Sequence, residues 1–201
     1  HRGIKLDAFF PPIFNSFDLI QKKFLITQSV KLMSKDLPEG RIMTELSGFI
    51  GSSTLKDKKR RSFMISGKTD VVVEFKTNPK KYGIIDLKTT SISPSKIQNY
   101  KLQLEGYATI FENPNSKTPK FSNIEELGLY LFEPKEITKI SEGFCNMKFE
   151  TLYLKGNRHH DDLIKRVTDI IDIYLMEEPP EYNSACASCK FVTSLKKEKY
   201  I

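Results

Sequence analysis

The chain has 201 residues, enough for one sizeable domain with its own core, and its 39% hydrophobic and 28% charged residues are an ordinary globular balance. No run of about 18 apolar residues and no charged-then-apolar leader occurs, which argues against a membrane span and a secretory signal and for a cytoplasmic protein. Lysine and arginine outnumber aspartate and glutamate by 32 to 25, and the resulting +7 suits a polyanionic partner such as nucleic acid.

In chain order, Pro11 and Pro12 keep "FFPPIF" from being helix interior. Asn15 and Ser16, good N-cap types, then lead into a first helix with Phe17, Ile20, Phe24 and Leu25 at helical spacing. A second, weaker helical segment follows "LPEG" and ends in the basic run "KDKKRR" at 56–61, which reads as a solvated turn or as a phosphate contact. From residue 62 the period changes: "SFMISGKTDVVVEF", the polar turn "TNPKKYG" and "IIDLKTT" predict two or three antiparallel strands. "SPSKIQNYKLQLEGYATIFEN" is the best helix of the chain, with Ser93-Pro94-Ser95 as its start signal and Ile97, Tyr100, Leu104, Ala108 and Phe111 along one stripe. "LGLYLFEP" and "GFCNMKFETLYLK" return to strand, and "DDLIKRVTDIIDIYLMEE" is a last amphipathic helix with acids at its positive end. The tail from "PPEYNSACASCK" onward reads as irregular.

This order predicts a single mixed α/β domain over 1–201: a helical N-terminal part (1–61), a core (62–155), and a C-terminal helix with a cysteine-containing tail (156–201). Neither G-x-G-x-x-G nor G-x-x-x-x-G-K-[ST] occurs, which removes most nucleotide-binding readings.

The chemistry concentrates at "IIDLKTT". Asp86 and Lys88 are at i and i+2 of a strand and project from one face, while Leu87 points to the other and can enter the core. Alone, this pair reads as a strand-end ion pair contributing about 0–1 kcal/mol. Asp70 changes the reading, because the turn at 77–83 folds its segment back beside Asp86, within roughly 5–8 Å by cross-strand geometry. Two carboxylates that close need a proton or a cation between them, and Mg²⁺ typically takes one or two carboxylates and keeps several waters. The Leu87 carbonyl could add an oxygen, and Lys88 could orient or deprotonate a nucleophile or offset phosphate charge. Gln103 and Tyr107, at i and i+4, share a helix face flanking the apolar stripe and could meet the same cleft.

"SGKTD", "IIDLKTT" and "QLEGY" together, spanning residues 64–110, resemble the PD-(D/E)XK nuclease superfamily in its RecB-type branch, with its G-x-x-D, D-x-K-T and Q-x-x-x-Y elements in order. The resemblance implies a restriction-endonuclease-like mixed central sheet flanked by helices, and a Mg²⁺- or Mn²⁺-dependent nuclease acting on nucleic acid, with DNA the expected substrate. It also implies Asp70 and Asp86 as metal ligands, Lys88 as the catalytic lysine, and Gln103 and Tyr107 as substrate-binding or supporting residues. Two departures stand out. Thr69 is where the superfamily's name has proline, and no histidine lies between His1 and His159 to serve as the first-helix metal ligand many RecB-type members carry. Asp18 and Glu45 are the acidic residues that could replace it, and each also reads as a surface charge. The missing histidine keeps open a second reading, a nuclease-fold module that binds nucleic acid or a partner with little or no turnover.

The three cysteines, Cys145, Cys186 and Cys189, are an odd number without a secretory leader, which argues for reduced thiols. By the same resemblance Cys186 and Cys189 could be two ligands of an iron–sulfur cluster. A closed Zn or Fe–S site needs four ligands, so the others would have to precede His1 or include Cys145, which otherwise reads as a small buried hydrophobe. His159 and His160 are adjacent, do not share a helix face, and read as surface residues.

Overall fold

A computed structural model describes residues 13–43, 49–178, 180–181 and 186–197. The β-branched run "VVVEF" forms β6 (Val71–Phe75), and "YGIIDLKT" forms β7 (Tyr82–Thr89), paired antiparallel with Val71 opposite Ile85 and Val72 opposite Ile84. The chain then makes α2 (Lys96–Glu112) and returns as β8 (Ile124–Ser141), parallel to β7. A parallel neighbour requires such a crossover, and the best helix in the sequence supplies it. β9 (Phe144–Gly156) turns back antiparallel to β8, with Gly143 at φ +84° in the tip of the hairpin. On the other edge β1 (Gly40–Ile42) pairs with β6, giving the order β1-β6-β7-β8-β9. The result is a mixed five-stranded sheet flanked by helices.

Side-chain alternation divides the core into two layers. Val72, Ile84, Leu129 and Leu131 pack under Leu104, Ala108 and Phe111 of α2, which α3 (His160–Leu175) covers from outside. Val71, Val73, Ile85 and Leu87 face the opposite side, against Leu25 of α1 (Ile13–Leu25) and Val30, Met33 and Leu37 beyond it. Leu87 therefore enters one core layer while Asp86 and Lys88, with Ile84, face the other. Because β6 and β7 are antiparallel, the start of β6 and the end of β7 meet at one end of the sheet.

Several segments depart from expectation. Beyond α1 the N-terminal part forms a 3₁₀ turn at Val30–Leu32 and then short strands, β1, β2 (Ile50–Gly51) and β3 (Leu55–Lys56), where a second helix was expected. β2 pairs with β5 (Ser66–Gly67) and β3 with β4 (Ser62–Phe63), so cross-strand pairing overrides a weak helical period. In α1 Leu25 is buried while Ile20 and Phe24 are 64% and 56% exposed, because it is the end of this helix that reaches the core. Phe17 packs instead on Phe149 of β9. β8 continues past "LGLYLFEP" to Ser141; beyond Phe132 its other edge has no partner strand among the described residues, so Pro134 removes no ladder bond to them. Cys145 lies in β9 as a strand residue but is exposed, not buried. The tail expected to be irregular contains α4 (Ala187–Lys197). The Pro11–Pro12 break and Glu45 lie outside the described residues.

Candidate active site

The register that pairs Val71 with Ile85 places Asp70 opposite Asp86, one step beyond the end of the ladder. With β6 finished there, the Leu87 amide has no strand to donate to, and it donates to Asp70 Oδ2 at 2.9 Å. In a strand the N–H and C=O of one residue point to the same neighbour, so the Leu87 carbonyl is also directed to the Asp70 side.

Asp86 is buried at 2% exposure. Lys88 Nζ lies 2.6 Å from Asp86 Oδ2, and Gln103 Nε2 donates to Asp86 Oδ1 at 3.1 Å. The Lys88 ammonium is thus the partner of Oδ2, and Gln103 that of Oδ1. Burial and then the Asp70 charge push the Asp86 carboxyl up to about 6, against the pull of Lys88. Burial draws the Lys88 ammonium down, but Asp86 outweighs it and holds its pKa above the ordinary lysine value. Lys88 is thus a charged group at neutral pH.

On α2, Gln103 Nε2 also donates to the Tyr107 hydroxyl at 2.8 Å, which donates in turn to the Lys68 carbonyl at 2.8 Å. The helix therefore grips Asp86 directly and holds the backbone two residues before Asp70. Gly67 makes this possible: a Cβ at that position would lie 2.8 Å from Tyr107 Cε1. The structure brings Asp70, Asp86, Lys88, Gln103 and Tyr107, all named from the sequence, to one place.

Two neighbours were not singled out from the sequence. Tyr100 was assigned to the apolar stripe, yet its ring lies 4.8 Å from Lys88 Nζ in a cation–π contact. Its spacing to Gln103 and Tyr107, at i+3 and i+7, was the available signal. Lys22 of α1 lies 2.7 Å from Asp70 Oδ1 and 2.8 Å from Asp18 Oδ2. Burial lowers its pKa, but the bonds to Asp18 and Asp70 outweigh that and raise it. Asp18 is joined to Asp70 through this lysine.

Other residues considered from the sequence lie elsewhere. The basic run forms the β3–β4 turn, where Arg61 pairs with buried Asp57 and with Asp172 of α3, and Lys59 also pairs with Asp172. Those two cations hold the turn to the helix. His159 and His160 stand at the start of α3, near Asp162 and Glu105 respectively. Cys186 and Cys189 lie at disulfide distance from each other, and joined in that way neither sulfur would be a thiolate ligand.

Among the described residues no three His, Cys, Asp or Glu side chains gather in one metal-binding group. The donor set at the sheet end is two carboxylates, Asp70 and Asp86, with the Leu87 carbonyl beside them. That all-oxygen set, with the Asp70 charge helping to push the buried Asp86 carboxyl up, fits a hard cation that keeps several waters.

The mixed sheet and its helices form a restriction-endonuclease-like α/β fold. The chain belongs to the PD-(D/E)XK nuclease superfamily, whose family model matches residues 23–194. Membership implies a metal-dependent nuclease acting on phosphodiesters. No curated protein and no solved structure matched the chain. No helix among the described residues is long and apolar enough to cross a membrane.

Proposed function

We propose that the chain is a RecB-type nuclease that hydrolyses DNA phosphodiesters with Mg²⁺ or Mn²⁺ at the sheet end. The observation that carries this reading is the pair of facing carboxylates, Asp70 and Asp86, in which burial and the Asp70 charge push the buried Asp86 carboxyl up to about 6. Asp70, Asp86 and the Leu87 carbonyl would hold the ion, which when bound supplies activation of a water and neutralisation of charge at the phosphate. Lys88 stays charged, is steadied by Asp86 and Tyr100, and offsets negative charge developing on the phosphate. Gln103 and Tyr107 are positioning residues, fixing Asp86 and the approach to Asp70.

The test is cleavage of labelled single- and double-stranded DNA and of RNA, in Mg²⁺, Mn²⁺ or EDTA, by wild type, Asp86→Asn and Lys88→Ala. Metal-dependent cleavage of DNA that both variants lose by about 100-fold or more supports the assignment. Equal cleavage by all three proteins means that the activity comes from elsewhere.

Two observations favour the second reading, a binding module with little turnover: Lys22 sits on Asp70, and no third ligand gathers among the described residues. Calorimetry separates the two readings, since a module of that kind retains nucleic-acid binding and shows no Mn²⁺ binding.

A further inference from the structure

Two ammonium groups balance two carboxylates at the sheet end. Lys88 stands on Asp86 and Lys22 stands on Asp70, so each of these two carboxylates has an ammonium partner without any divalent ion. The two lysines differ in one respect. Lys22 has a second anchor in Asp18, 2.8 Å away and itself on the rim, so it can leave Asp70 and keep a counter-charge. Asp70 Oδ2 is taken up by the Leu87 amide, which makes Oδ1, the oxygen Lys22 holds, the one open to a cation.

The placement of Lys22 is built into the fold. Leu25 seats the end of α1 in the core, and Gln21 Nε2 donates to the Thr89 hydroxyl at 2.9 Å, one residue after Lys88. Lys22 is only 19% exposed and lines a cleft of about 250 Å³ with Asp18, Lys23, Lys68 and Asp70. Three lysines thus border a hollow that opens beside Asp70.

We propose that Lys22 is the counter-ion of Asp70 in the metal-free protein, gives way to the divalent ion while anchored on Asp18, and then contacts a substrate phosphate. This rests on the metal-nuclease reading above. An ammonium and a divalent ion repel each other on one carboxylate oxygen. Metal entry therefore releases a positive charge into the cleft, where a phosphate can meet it. Metal and nucleic acid then bind cooperatively through a single side chain, and the coupling is reciprocal.

The experiment is Mn²⁺ calorimetry without nucleic acid on wild type, Lys22→Met, Lys22→Gln, Lys22→Arg and Lys23→Met. Loss of the Lys22 charge is expected to tighten Mn²⁺ binding by about five-fold or more, the scale of a partly screened ion pair. Lys22→Arg should stay near wild type. Lys23→Met removes the same charge from the same cleft, without the contact to Asp70, and should change the affinity by less than about two-fold. Lys22→Gln gives the readout if the methionine variant does not fold.

The second measurement is fluorescence anisotropy with a labelled single-stranded oligodeoxynucleotide, in Ca²⁺ to limit turnover and in EDTA. Lys22→Met should weaken binding in Ca²⁺ and leave it nearly unchanged in EDTA, where the wild-type lysine is occupied by Asp70. Equal tightening of Mn²⁺ by Lys22→Met and Lys23→Met would show a general field effect and overturn the proposal. So would equal weakening of oligonucleotide binding with and without Ca²⁺. If neither wild type nor Lys22→Met binds Mn²⁺, the metal reading itself falls. If wild type binds and the uncharged Lys22 variants bind no tighter, only this inference falls.

Discussion

Asp86→Asn in metal-free protein isolates the electrostatic cost of the site. Asparagine is close in shape to the protonated aspartic acid and cannot ionise, so the variant mimics the low-pH form at every pH. The Asp86 carboxyl rises from 3.8 to about 6 in the folded protein, chiefly through burial and the Asp70 charge. That shift corresponds to roughly 3 kcal/mol. The sign follows from proton counting. Below about pH 3.8 both folded and unfolded chains hold the proton, and the group contributes nothing. Between 3.8 and 6 the folded chain holds it and the unfolded chain does not, so stability falls as pH rises. Above about 6 both are ionised and the full cost is present. Urea denaturation in EDTA from pH 4.5 to 7.5 should therefore show Asp86→Asn gaining on wild type by about 2–3 kcal/mol across the range. Mn²⁺ added at pH 7 should stabilise wild type by mass action, leave the variant nearly unchanged, and stabilise wild type less at pH 5. A stability difference that is independent of pH, or that shrinks as pH rises, refutes the assigned environment of Asp86.

Substitutions at three further positions test how the site and its helix are held. Gly67→Ala forces a methyl against the Tyr107 ring, 2.8 Å from Cε1, and should cost about 1–3 kcal/mol in urea denaturation while lowering the cleavage rate. Tyr107→Phe removes the bonds to Lys68 and Gln103, and should cost about 1 kcal/mol of stability. The same change should lower kcat by about ten-fold or more with KM near wild type, because it loosens positioning and not substrate contact. Arg158→Ala strips the paired guanidinium from Glu105, whose side chain is fully buried, and should destabilise by roughly 2–4 kcal/mol, discounted for the partial exposure of the arginine. Arg158→Lys should recover only part of this in thermal unfolding, since an ammonium cannot make both bonds.

What could be read in advance follows from how local each signal is. α2 was legible because its start signal, length and apolar stripe agree, and the β6–β7 hairpin because β-branched runs flank a polar turn. Strand alternation alone put Asp86 and Lys88 on one face and Leu87 in the core. The 40–67 region was not legible, because its strands are only two or three residues long, too short to show an alternation, and β1 is held by a partner far along the chain, as Gly40 is by Phe75. No window of sequence contains that pairing. Helix α4 was hidden by the Pro-rich start of its tail.

Lys22 shows the same limit at the site. With Asp18 it reads as an i, i+4 pair on a solvated helix face, worth a few tenths of a kcal/mol. Its contact with Asp70 exists because Leu25 and Val30, burying themselves under β6 and β7, lay α1 across the open end of the hairpin. The burial that decides where α1 lies involves residues with no chemistry, and the charge it delivers comes from a residue whose local pattern is ordinary. A cation at this position is therefore a consequence of packing. Its functional weight depends on Asp70, which at the sheet end meets both the amide that β6 leaves unpaired and the lysine that the core delivers.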